Sequence, residues 1–384
     1  MAAVATANSH ETRASSSSAS PSRPLTPIQE HDAADHASPS SSKTSDSGSV
    51  TSVVKFYIDS DTMVLVKKDG DEAHYQVSSC SIALASPVWC SILYGQNSKE
   101  RPAKGEWSIA LEGDPKALDT IFRIVHYEFN KVPTNPSLED LFEITCLTSQ
   151  YKCTHLIYPW VHSWLVGLSG AGCFTSESGF LGRCHKAIWV AWVVGDINLF
   201  EDATNALIIT CSVGADGSLI NKVGIPLKDM IFPPDLLDSI VDIRLTTIST
   251  ILEAVGLYVT HLSSGSQDSN TSYCKVGKNV RECEAMMLGS ALPELVKAEL
   301  YPVPKASDVA LSIQDLKDRL DHIETIPYVG RDWMPHQSHE PCCLIIRELI
   351  SECIRNMRTP LKDDYLDHLS LQANVSGIRS NGPK

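Results

Sequence analysis

A proline interrupts an apolar run that would otherwise read as one helix: residues 81–95 are SIALASPVWCSILYG. Proline fits the first turn of a helix, and its ring disfavours helical backbone in the residue before it. One short helix therefore ends near Ala85 and a second begins at Pro87, with Ser86 between them. Trp89 lies just beyond that corner.

What surrounds the corner narrows the fold. Order begins near Val53, and TMVLV and AHYQV read as short strands around the turn KKDGDE, where Asp69-Gly70 supplies turn chemistry. GEWSIAL, after the two short helices, is a further strand. Three helical stretches follow. In DPKALDTIFRIVHYEF, Asp114 is the expected N-cap, Pro115 the first helical residue, and Leu118, Ile121, Phe122 and Val125 recur at helical spacing. NPSLEDLFEITCLTSQY opens on a capping pattern from Ser137 to Asp140. In CTHLIYPWVHSWLVGL, Pro159 kinks or restarts the helix. The order predicts an α+β domain, a small sheet flanked by helices, over residues 51–168.

Residues 1–50 contain fourteen serines and no Phe, Trp or Tyr, so they cannot bury enough apolar surface to offset chain entropy and are expected to be a disordered, solvated tail. Residues 169–183, SGAGCFTSESGFLGR, are Gly-rich but follow a helix and lack phosphate-loop spacing, which makes them a linker. Residues 184–384 read as a mostly α-helical domain. KAIWVAWVVGDINLFEDATNALIITCSV is a helical pair interrupted near Gly195. Leu237, Ile240, Val241, Ile248, Ile251, Leu252 and Val255 mark one long amphipathic helix. Further helices fit CEAMMLGSALPELVKAEL, SIQDLKDRLDHIETI and PCCLIIRELISECIRNMR.

The formal net charge of −14 repels phosphate backbones, which argues against nucleic acid as a partner. No apolar stretch stands behind basic residues at the N-terminus, and the most apolar run is cut by Asp196 before it could span a bilayer. No membrane partner and an intracellular location, nucleus or cytoplasm undecided, are expected. The twelve cysteines then read as buried thiols or partly a metal site, not a disulfide framework.

One set has metal-ligand character. Cys274 and Cys283 bracket KVGKNVRE, and His339 and Cys342 lie in HEPCC. Three thiolates and one imidazole suit a tetrahedral structural zinc, although the nine-residue step between the first two cysteines is looser than a zinc knuckle. His336 and Cys343 are alternative ligands, and ordinary buried thiols acting as small hydrophobes are the competing account. Catalytic readings are weaker. Cys184-His185 are adjacent on a helix and do not face each other, and DDYLDH reads as a solvated terminal helix without calcium-loop spacing. No catalytic residue and no enzyme activity is expected.

Residues from about 53 to 168 resemble a BTB/POZ domain, through YQVSSCSIALASPVWCSILYG, WSIALEGDPKALDTIFRIVHYE and LFEITCLTSQYKCTHLIYPWVHSWL. The whole chain resembles fungal proteins in which such a domain precedes a helical region, on FNKVPTNPSLEDLFEI, YKCTHLIYPWV and IWVAWVVGDINLFEDAT. The resemblance implies a helical hairpin followed by a strand, a helix and a helical pair. Related fungal chains carry a similar Cys, Cys, His-x-x-Cys order. Where many BTB domains have Asp-Val at the first strand and His-Arg before the first short helix, this chain has Thr62-Met63-Val64 and Ser78-Ser79. The implied function is a protein-interaction scaffold, by homodimerisation or partner docking. The alternative is a substrate adaptor for a cullin-type ubiquitin ligase, and an enzyme in the helical half is a third reading. Leu84, Val88, Trp89 and Leu93 are expected to form one apolar stripe on the hairpin, against a second subunit or the adjacent helices, with Trp89 its anchor.

Overall fold

The computed structural model describes residues 53–68, 70–96, 107–166, 168, 181–264, 272–329 and 338–378. The expected tail at 1–50, His336 and most of the expected linker lie outside them.

Four strands form a mixed sheet: β1 (Val53–Lys55), β2 (Thr62–Lys68), β3 (Asp71–Val77) and β4 (Trp107–Glu112), in the order β1-β3-β2-β4. β2 and β3 are a hairpin in the register Val64↔Tyr75, turned at Gly70, whose φ of 95° lies where glycine is favoured. β1 and β4 add in parallel to β3 and β2 respectively. Alternation is clean in β4, where Trp107, Ile109 and Leu111 face the core.

Between β3 and β4 stand α1 (Ser79–Ala85) and α2 (Pro87–Tyr94), separated by Ser86 in extended backbone as the Ser-Pro pair requires. Ser86 is fully buried and works in both directions. Its Oγ accepts the N–H of Trp89 at 3.0 Å, capping α2, and donates to the carbonyl of Tyr151 at 2.5 Å. α1 is tied down from the sheet side by Asp61, a residue the sequence pattern did not single out. Its carboxylate accepts the backbone N–H and the hydroxyl of Ser79, both at 2.7 Å.

The expected caps are present on α3 (Pro115–Val125), opened by Asp114, and α4 (Leu138–Gln150), opened by the reciprocal Ser137 and Asp140 box. Pro159 restarts the chain: a 3-10 turn covers Thr154–Ile157, and α5 begins at Val161 and ends at Leu165.

Beyond a 3-10 turn at Leu181–Arg183 come α6 (Cys184–Val194) and α7 (Ile197–Thr210), broken at Gly195 with φ 84°. A two-stranded hairpin, β5 (Ser212–Val213) and β6 (Leu219–Ile220), was not anticipated; strands of two residues leave too little alternation to read. The remainder is helical: α8 (Leu236–Ser264), α9 (Val280–Lys297), α10 (Ile313–Asp321), α11 (Ile345–Arg355) and α12 (Asp363–Ser376). Among the described residues no helix is long and apolar enough to cross a membrane.

The expected border near residue 168 is not a gap in packing. α4 packs on α6, and α12 packs on α6 and on the 3-10 turn at Thr154–Ile157. One continuous apolar cluster runs from Phe56 to Leu369, within a single unit covering Thr51–Lys384. α12 is not merely solvated: Tyr365, Leu369 and Ala373 are buried, and His368 stacks on Trp192 at 3.6 Å.

Candidate metal centre

The four sequence-predicted ligands arrive from three separate segments. Cys274 sits on the loop leading to α9, in a turn that needs left-handed backbone at Gly277 (φ 70°) and Asn279 (φ 51°). Cys283 is in the first turn of α9, where its N–H bonds to the Asn279 carbonyl. His339 and Cys342 are joined by a tight turn, with the Cys342 N–H 2.9 Å from the His339 carbonyl, and Cys342 belongs to the 3-10 segment Glu340–Leu344 that leads into α11. Pro341 therefore opens a 3-10 turn; the α-helix itself starts at Ile345.

These side chains converge. All four are buried, and their sulfur and nitrogen ligand atoms lie within 4.8 Å of one another. Cys274 Sγ is 3.3 Å from His339 Nδ1. Tetrahedral zinc, with sulfur at about 2.3 Å and nitrogen at about 2.0 Å, would hold sulfurs about 3.8 Å apart and sulfur to nitrogen about 3.5 Å. The cluster is thus of the size a single ion would draw together with small adjustments. It can hold a metal ion. Cys343, the alternative ligand, is half-buried and outside the cluster, and its carbonyl accepts from the Thr325 hydroxyl at 3.0 Å.

The N–H of Lys275 points at Cys342 Sγ at 3.4 Å. Without a cation, burial and the neighbouring thiols oppose ionisation: Cys283 is pushed up to about 12 and Cys342 is also raised. A divalent ion held by these residues would supply the charge that reverses this. Tyr273 of this loop packs against Tyr258 of α8, with ring centres 5.3 Å apart.

Sequence reasoning missed the residues that hold the first ligand loop. Glu284, next to Cys283, is 1% exposed, and its Oε1 accepts the Ser272 hydroxyl at 2.8 Å and the Tyr273 N–H at 3.1 Å. Ser272 Oγ in turn accepts the Cys274 N–H at 3.0 Å. A glutamate in the second turn of a helix carries no sign in the sequence that it points inward.

The other expected sites fare differently. The hairpin stripe divides. Trp89 is fully buried and Leu93 nearly so, with the Trp89 ring 5.6 Å from Phe122 and 5.2 Å from Tyr151, inside this chain's own core. Trp89 therefore has no face to offer a partner. Val88 is half-buried, and Leu84 is 87% exposed. The break at Ser86-Pro87 resets the helical phase, so spacing counted across it does not describe one face. Cys184 and His185 do not form a reactive pair. Burial pushes the thiol up to about 12 and the imidazole down to about 4, so both are neutral near pH 7. No protein-family model and no curated protein matches this chain.

Proposed function

We propose that the Cys274, Cys283, His339 and Cys342 centre holds a structural zinc ion, and that the chain is an interaction scaffold built on a BTB-type module. The convergence of three buried thiols and one imidazole from three segments carries the first part. Four protein ligands leave no open coordination position for substrate, so the role is structural. The ion ties the loop before α9, the start of α9 and the segment entering α11 around the end of α8. Chelation tests it: a zinc chelator should strip about one ion per chain and lower the melting temperature, and a chain that melts identically with and without chelator contradicts it.

The scaffold reading is supported by element order. A strand hairpin, a short helical hairpin, a strand parallel to the first strand of the hairpin, and then further helices follow the order that the resemblance implies. It is also supported by what α1 leaves outside. Leu84 is 87% exposed, and Ile58, in the loop after the edge strand β1, is 79% exposed. Exposed large apolar residues on a recognition module are candidate contacts for a second copy. Because the module shares its core with the helical half, the full chain is the object to test. Sedimentation velocity should show a dimer at micromolar concentration that Leu84→Asp shifts toward monomer. A full chain that stays monomeric through high micromolar concentration contradicts self-association.

A further inference from the structure

We propose that Glu284 is the positioning residue of the metal centre: its buried carboxylate templates the loop 272–274, so that Cys274 faces the other ligands before the ion arrives. The inference rests on the zinc reading above and deepens it.

The chain of hydrogen bonds has one direction. The Cys274 N–H donates to Ser272 Oγ, the Ser272 hydroxyl donates to Glu284 Oε1, and the Tyr273 N–H donates to the same oxygen. Every polar hydrogen these bonds use lies on the loop, and the terminal acceptor, Glu284 Oε1, lies on α9. Glu284 follows Cys283 directly, so the helix that supplies the second ligand also fixes the segment that supplies the first. The connection then closes on the opposite side, where the Lys275 N–H reaches Cys342 Sγ at 3.4 Å. His261 of α8 places Nε2 3.8 Å from Glu284 Oε1.

A buried carboxylate is costly unless its acceptor capacity is used, and here it is spent on a three-residue loop. Outer partners that orient metal ligands typically govern affinity by about 10- to 100-fold. Lost preorganisation would appear as weaker binding, because the loop must then be ordered at the moment the ion binds.

The test uses the full chain and zinc in competition with a chromophoric chelator, with cobalt(II) absorption as a second readout. Glu284→Ala should weaken zinc binding about 10- to 100-fold. Glu284→Gln, which keeps an acceptor oxygen, should recover most of that loss. Cobalt-loaded Glu284→Ala should retain the strong visible bands of tetrahedral thiolate ligation, since no ligand has been removed. A role in packing alone predicts a lower melting temperature in both metal-free and metal-loaded Glu284→Ala with unchanged zinc affinity, and that result overturns the proposal. A wild-type chain that binds no zinc overturns the zinc reading and this inference together. Wild-type binding with equal binding by Glu284→Ala overturns this inference alone.

Discussion

Ser86 shows how one side chain can fix a corner. It caps α2, and it also spans 65 positions of sequence to bond the buried Tyr151 carbonyl. Ser86→Ala removes the cap and leaves that carbonyl unpaired, for a loss of about 2 kcal/mol in denaturant unfolding. A change below about 0.5 kcal/mol would show that the corner is held by Pro87 and packing alone. The capping half of this role was legible, because Ser before Pro at a helix start has a local cause. The Tyr151 bond was not, because nothing near either residue indicates that they meet. The same distinction separates Trp89 from Leu84: local spacing marked both as apolar helical positions, and only tertiary packing decided which one is sealed and which remains 87% exposed.

Among the elements, helices were readable where caps and periodicity agreed, as for α3 and α4, or where the periodicity was long, as for α8. β1 was not, since a three-residue edge strand depends on its partner β3 for its identity. The placement of α12 was also hidden. Its approach to α6 depends on Gly195, where an added Cβ would meet the backbone of Ala373 and Leu369. Gly195 also has φ 84°, which a side chain resists. Gly195→Ala should therefore cost roughly 3 kcal/mol and loosen α12. Hydrogen exchange would register this as faster exchange in residues 363–376 than elsewhere, and unchanged protection there would contradict the close-packing account.

At the scale of the whole molecule, the candidate centre was legible by residue type but not by spacing. Cys274 and Cys283 are too far apart in sequence for a knuckle, and 56 positions separate Cys283 from His339. What joins them is the route of the chain: α9 and α11 both pack on α8, and the ligand-bearing segments meet. The two halves of the chain share one apolar cluster, and Cys274, Cys283 and Cys342 of the candidate centre belong to it. Zinc K-edge X-ray absorption on the purified full chain tests this most directly. The expected spectrum fits three sulfur atoms at about 2.3 Å and one nitrogen at about 2.0 Å. A shell of oxygen and nitrogen alone, or too little zinc to give an edge, would contradict it.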